Sequence, residues 1–263
     1  MLLKNKVAVI YGAGGAIGGA VARAFAREGA SLFLAGRGRA PVEAVAKDIV
    51  SAGGSAEPAE VDALDEQAVD RHLQFVIDKA ARVDIAFNAV GIPGTKILGV
   101  PLVELDVEQF SLPITTYATS YFLIARMAAR RMVANRSGVI MTATTQHSRM
   151  GIPLSGGYGP AMAAEEALTR VLSAELAPHG IRVVGLRPQA IPETGTLKES
   201  FEARAKVSGM TWEQFQGLLA NNTHARRLMT LAEVAHMAVF MASDKASAMT
   251  GTTVNLTMGS LDD

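Results

Sequence analysis

Six short apolar runs, at residues 7–11, 31–35, 83–87, 139–143, 181–186 and 253–256, recur between longer stretches of helical periodicity. This alternation narrows the folds open to the chain more than any other feature. Runs that stay apolar at successive positions suit strands covered on both faces, because a half-solvated strand would alternate apolar with polar residues. Strands of that kind joined by helices form β-α-β units, whose right-handed crossovers leave few ways to wind the chain. The expectation is an α/β fold with one doubly wound parallel β-sheet and helices on both faces.

Composition fits one core and excludes several classes of function. The chain has 263 residues, 49% of them apolar and 19% charged, enough to bury a sizeable interior and to fill a single domain over residues 1–263. Lys plus Arg and Asp plus Glu each total 25, so no net field draws the protein to nucleic acid or to an acidic membrane. The absence of cysteine removes disulfides, thiol nucleophiles and thiolate metal sites, and agrees with a reducing compartment. Residues 1–6 mix Lys with apolar residues and run into the first strand without the pattern of a cleaved leader, and no apolar run reaches the roughly 18 to 20 residues of a membrane span. A cytoplasmic location is expected.

After the first run comes Tyr11-Gly12-Ala13-Gly14-Gly15-Ala16-Ile17-Gly18, followed by a helix whose Ile17, Val21, Ala24 and Phe25 form one stripe ended by Gly29. Glycines between strand and helix let the backbone approach a pyrophosphate, whose charge then meets the free N–H groups of the helix N-terminus. At the end of the second run, where NAD-preferring sites commonly place a carboxylate, the chain has Gly36, Arg37, Gly38 and Arg39. An arginine suits a 2′-phosphate, so the expected cofactor is NADP(H). Residues 189–226 turn polar around Phe201, Met210, Trp212, Phe215 and Leu218, the pattern of a helical lid over a substrate.

These landmarks resemble the short-chain dehydrogenase/reductase family over nearly the whole chain, which implies a Rossmann-type fold. The glycine motif is similar to Gly12, Gly14, Gly15 and Gly18, with Ala16 at a usual glycine and Ile17 beside it. Asp62 and Ala63 match the pair that borders the adenine, and Asn88-Ala89-Val90-Gly91 matches the segment beneath the cofactor. Tyr158 falls at the family's catalytic tyrosine and Thr145, thirteen residues earlier, at its serine. Pro188 and Ile191, around the Arg187-Pro188-Gln189 turn, complete the implied cofactor set. One departure is central. The lysine of the Tyr-x-x-x-Lys motif is Met162, and Tyr117 stands near the position of the family's active-site Asn.

In the family's chemistry the tyrosine gives a carbonyl oxygen its proton while the serine hydroxyl steadies it. The resemblance therefore implies reduction of an apolar carbonyl compound, with Tyr158 as donor and Thr145 as the oxygen-stabilising hydroxyl. Without lysine the alternative is a cofactor-binding protein that does not turn over, a sensor or assembly partner. Met150, Ile152, Leu154, Met210, Trp212 and Phe215 are candidates for an apolar pocket. Gln146 and His147 either face substrate or lie in a solvated loop. Glu165 and Glu166, seven and eight positions after Tyr158, read as a subunit contact or solvated surface. The other histidines, His72, His179, His224 and His236, show no metal-ligand spacing, so no metal site is expected. The family likeness also implies a homo-oligomer, dimer or tetramer, paired through residues 115–132, 161–176 and 254–259.

Overall fold

The computed structural model describes residues 1–94 and 98–262, with backbone alone at residues 196 and 203–208. Its strands are β1 (Val7–Tyr11), β2 (Ser31–Gly36), β3 (Ser55–Glu60), β4 (Ile85–Asn88), β5 (Gly138–Ala143), β6 (Ile181–Pro188) and β7 (Thr252–Leu256). The helices are α1 (Ala16–Arg27), α2 (Arg39–Ser51), α3 (Glu66–Ala80), α4 (Val107–Met132), α5 (Tyr158–Leu176), α6 (Gly195–Ser208), α7 (Trp212–Asn221) and α8 (Leu231–Ala242). All strand pairs are parallel, in the order β3-β2-β1-β4-β5-β6-β7. The winding reverses between β1 and β4, which opens a crevice at the carboxyl ends of these two strands.

Five of the six apolar runs become strands buried on both faces, while the sixth, β7, lies at an edge of the sheet and is half-buried. On one face Ile10, Leu34 and Phe87 meet Val21 and Phe25 of α1, Val42 and Ile49 of α2 and Val234 and Val239 of α8. On the other, Val9, Phe33 and Ile140 meet Leu73 of α3, Tyr121 and Ile124 of α4 and Leu172 of α5. Six strands coincide with the six runs to within two residues at each end.

The seventh strand, β3, is not among those runs. Its sequence Ser-Ala-Glu-Pro-Ala-Glu has no β-branched residue and carries Pro58, which cannot donate to a ladder. It survives as a strand because it lies at the edge, paired with β2 alone, and one side of its backbone needs no partner. Beyond β6 the chain leaves the sheet for α6 and α7, within the segment whose composition had suggested a helical excursion. A capping box between Thr211 and Gln214 fixes the start of α7. No helix among the described residues is long and apolar enough to cross a membrane.

Candidate active site

Two cavities meet at the C-terminal ends of the strands. The first, of about 630 Å3, is lined by the β1–α1 turn (Gly12, Gly14, Gly15, Ala16, Ile17), by Arg37 after β2, by Asp62 and Ala63 after β3, and by Ala89 and Gly91 after β4. The turn can sit there because residue 12 is glycine. Its φ is +77°, and an added Cβ would lie 2.2 Å from the Ala89 carbonyl oxygen. Gly15 caps α1 without a side-chain partner, so the first N–H groups of the helix are left for a ligand. Arg37 is exposed at the rim and forms no ion pair among the described residues, whereas Arg39 is held by Glu43 at 2.6 Å. A glycine cradle, a bare helix N-terminus and a basic rim together fit a dinucleotide. Asn88, expected in the cofactor set, instead turns its side chain beneath the cleft, where it donates to Glu165 and Thr142.

The second cavity, of about 560 Å3, is mostly apolar, lined by Met150, Ile152, Leu154, Met210, Phe215 and Leu218 among others. Trp212, expected to line it, stacks behind on Phe215 with ring centroids 6.2 Å apart. Pro188 and Ile191 lie on this apolar side, while Ile17, Thr145, Tyr158 and Thr194 border both spaces. His147 and Gln146 face the cavity, which resolves their two readings in favour of the pocket. Ser260 donates to Gln146 Oε1 at 3.1 Å and ties this loop to the C-terminal segment.

Tyr158 begins α5, and its approach to α4 depends on Gly157. A Cβ at that position would lie 2.0 Å from the Phe110 carbonyl oxygen. Thr145 lies just beyond β5 and caps a 3-10 turn over Gln146–Ser148, its Oγ1 accepting from the His147 N–H at 3.3 Å and meeting His147 Nδ1 at 3.0 Å. Thr145 and Tyr158 both stand on the rim shared by the two cavities. On the other side Tyr158 meets Tyr117 of α4, with ring centroids 5.6 Å apart. Tyr117 also accepts from the Ile92 N–H at 3.4 Å. Burial drives the Tyr158 hydroxyl well above its usual 10.0, and the neighbouring Tyr117 adds to the shift, while the Thr145 hydroxyl opposes it. Burial likewise pushes Tyr117 up to about 12. Met162, one helical turn after Tyr158, is 1% exposed and borders the cofactor cleft as an apolar wall.

Glu165 and Glu166 overturn their reading as solvated surface, being 0% and 2% exposed. Glu165 Oε1 accepts from Asn88 Nδ2 at 2.9 Å and Thr142 Oγ1 at 3.1 Å, while Oε2 has no hydrogen-bond partner among the described residues. Burial raises its carboxyl well above the ordinary range, against those two hydrogen bonds, which favours the neutral acid over the carboxylate. Glu166 accepts two hydrogen bonds from the buried Arg187, Nε at 2.7 Å and Nη2 at 2.9 Å, with further donors in Ser148 at 2.5 Å and Arg149 at 3.2 Å. Burial pushes upward here too, but Arg187 and Ser148 outweigh it and hold the carboxylate below its usual range. Sequence reading missed this anchor, although an arginine at the end of a buried strand was itself a signal that a buried acid had to exist. Among the described residues no His, Asp and Glu cluster could hold a metal ion.

A family model described as enoyl-(acyl carrier protein) reductase matches residues 12–260. The chain belongs to the short-chain dehydrogenase/reductase family. It is 30% identical to 7alpha-hydroxysteroid dehydrogenase of Escherichia coli (strain K12) over 261 residues, 99% of this chain and 96% of that protein. The structure of NAD+-bound xylitol dehydrogenase superposes with a TM-score of 0.90 at 25% identity, covering 97% of this chain and 98% of the other. A single-residue variant of actinorhodin polyketide ketoreductase with NADPH shares the fold, with a TM-score of 0.89, 23% identity and 97% of each chain covered. This family member is an oxidoreductase of a class that uses a nicotinamide cofactor, NAD(H) or NADP(H).

Proposed function

We propose that the protein is an NADP(H)-dependent reductase of a carbonyl group on a neutral, apolar small molecule. The observation that carries this reading is the apolar cavity, which opens onto the two hydroxyls of Thr145 and Tyr158 and has no Lys, Arg, Asp or Glu in its described lining. A charged substrate would lose its hydration there without a partner. When bound in the glycine-lined cleft, the reduced nicotinamide supplies a hydride. Gly12, Gly14, Gly15, Ala16, Ile17, Asp62, Ala63, Ala89 and Gly91 shape its bed, Asn88 supports that bed from below, and Pro188 and Ile191 border its substrate side.

Tyr158 holds the proton destined for the carbonyl oxygen, and its raised pKa keeps it protonated throughout the physiological range. Thr145 offers a second donor to the same oxygen. Both features favour reduction, because the reverse reaction needs a phenolate as base and Met162 supplies no cation to stabilise one. The helices α6 and α7 serve as a lid, with Phe215 and Leu218 forming part of the cavity wall.

Arg37 supports the choice of NADP(H), since it stands at the rim beyond β2, without an ion pair among the described residues, where a carboxylate would oppose a 2′-phosphate. Calorimetry should give tighter binding of NADPH than of NADH, and Arg37→Asp should abolish or reverse the preference. Equal affinities in the unmodified protein would remove the assignment. Met162 favours a second reading, a cofactor-binding protein without turnover. Intact NADPH binding with no NADPH consumption across neutral ketones, aldehydes and quinones would select it. We also propose a cytoplasmic homo-oligomer paired through α4, α5 and β7. The exposed Phe122 and Val171 support that pairing, and sedimentation at 27.6 kDa alone would refute it.

A further inference from the structure

Each reduction leaves Tyr158 short of a proton, and its neighbours on the α5 side offer no resupply. Met162 does not titrate, and Glu165 is fully buried with its hydrogen-bond partners Asn88 and Thr142 equally out of solvent. On the other side lies His147. Its Nδ1 is 3.0 Å from Thr145 Oγ1, and its ring stands edge-on to the Tyr158 ring with centroids 5.0 Å apart. The side chain is half-buried and lines the apolar cavity, so it is reached by water whenever that cavity is open. Among the described lining residues of that cavity it is the one side chain whose type ordinarily titrates between pH 5 and 8.

Resting on the reductase reading, we propose that His147 is the proton source for Tyr158, acting through the Thr145 hydroxyl in place of the cation that Met162 lacks. Protons and electrons balance along this route. The carbonyl carbon takes a hydride from the reduced nicotinamide, and its oxygen takes the Tyr158 proton. Once that oxygen is protonated, the Thr145 hydroxyl turns from it to the phenolate, which takes its proton; Thr145 then takes the Nδ1 proton of the imidazolium, and the neutral imidazole regains a proton from water. The loop is built to hold this chain in place. Thr145 caps the turn that carries His147, and Ser148, next along, donates to the Thr145 carbonyl and to Glu166. Among the described residues, charged and titratable groups near the imidazole include Tyr158 of α5, next to Tyr117 of α4, and the Glu166–Arg187 pair with Arg149. Glu165 is fully buried and bonded to Asn88 and Thr142.

The test compares the unmodified protein with His147→Asn, whose amide can keep the hydrogen bond to Thr145 but cannot titrate. In NADPH-driven reduction of a neutral ketone, kcat of the unmodified protein should fall as rising pH removes the imidazolium proton. His147→Asn should lower kcat by about a hundred-fold, within the range for lost acid catalysis, and erase that limb while the Kd for NADPH stays within about twofold. A variant that keeps both kcat and the limb overturns the role of His147 and leaves the reductase reading intact. No turnover by the unmodified protein overturns the reductase reading, and the proton role with it. Independently of turnover, the imidazole titration followed by NMR should shift in Thr145→Val. An unmoved midpoint would show that the two side chains are not coupled and would overturn the relay.

Discussion

The glycine-rich cleft and the hydroxyl cluster lie side by side at the ends of the strands, yet they are made of different material. The cleft is shaped by backbone: Gly12 pressed against Ala89, a helix start without a side-chain cap, and strand ends set by the sheet. The cluster is shaped by side chains: Thr145 and His147, on a turn that Ser148 ties to Glu166, together with Tyr117 and Tyr158. Backbone sites tolerate little at a few positions and much elsewhere, while side-chain sites respond to single functional groups.

The sharpest way to break this contrast is at Gly12. Gly12→Ala adds a Cβ that meets the Ala89 carbonyl in a left-handed backbone, at a combined cost of about 2 to 5 kcal/mol for strain and overpacking. Calorimetry should then show loss of NADPH binding of more than about a hundred-fold, with a lower melting temperature. Undiminished binding would mean that the turn does not hold the cofactor.

The second test removes one group from the cluster. Thr145→Val keeps the shape of the side chain and loses the hydroxyl, and should slow reduction by about a hundred-fold or somewhat more, equivalent to about 2.7 to 4 kcal/mol for one lost donor. Thr145→Ser should retain activity. The Kd for NADPH should hardly move in either variant. A valine enzyme with normal kcat would take Thr145 out of the chemistry.

The smallest effect concerns Glu165. Its folded pKa is raised, so the folded state holds a proton that the unfolded chain releases above its ordinary 4.5. The stability contributed by the neutral acid is complete below that value and is lost as pH rises toward the folded pKa. Glu165→Gln keeps the acceptor for Asn88 and Thr142 without that loss. Thermal unfolding should show a variant that matches the parent in acid and melts at a higher temperature than the parent at neutral and alkaline pH. A parent whose advantage grows with pH would contradict a neutral Glu165.

The same contrast explains what was legible in the sequence. The six apolar runs and the glycine turn were readable because local spacing dictates them. Thr145 and Tyr158 were found through likeness to a family, and the structure brings both to one rim. Glu165 was misread because its partners lie 77 and 23 positions away, and nothing on its own helix announces them. His147 could not be assigned between pocket and loop, since its direction is set by the short turn that Thr145 caps. Trp212 was grouped with the scattered apolar residues around it, but it stacks on Phe215 and does not itself line the cavity.

The strand that escaped notice has a bearing on how the molecule meets its neighbours in a crowded solution. An outer strand offers its free backbone groups to any extended peptide that drifts by, and β3 blunts that offer with Pro58 and with Glu57 and Glu60 in the same six residues. A stranger adding there would forfeit one rung and crowd its own acids against two carboxylates. The features that hide β3 from a reader also make that flank a poor template for aggregation, and they bias any growth of the sheet toward its opposite flank at β7.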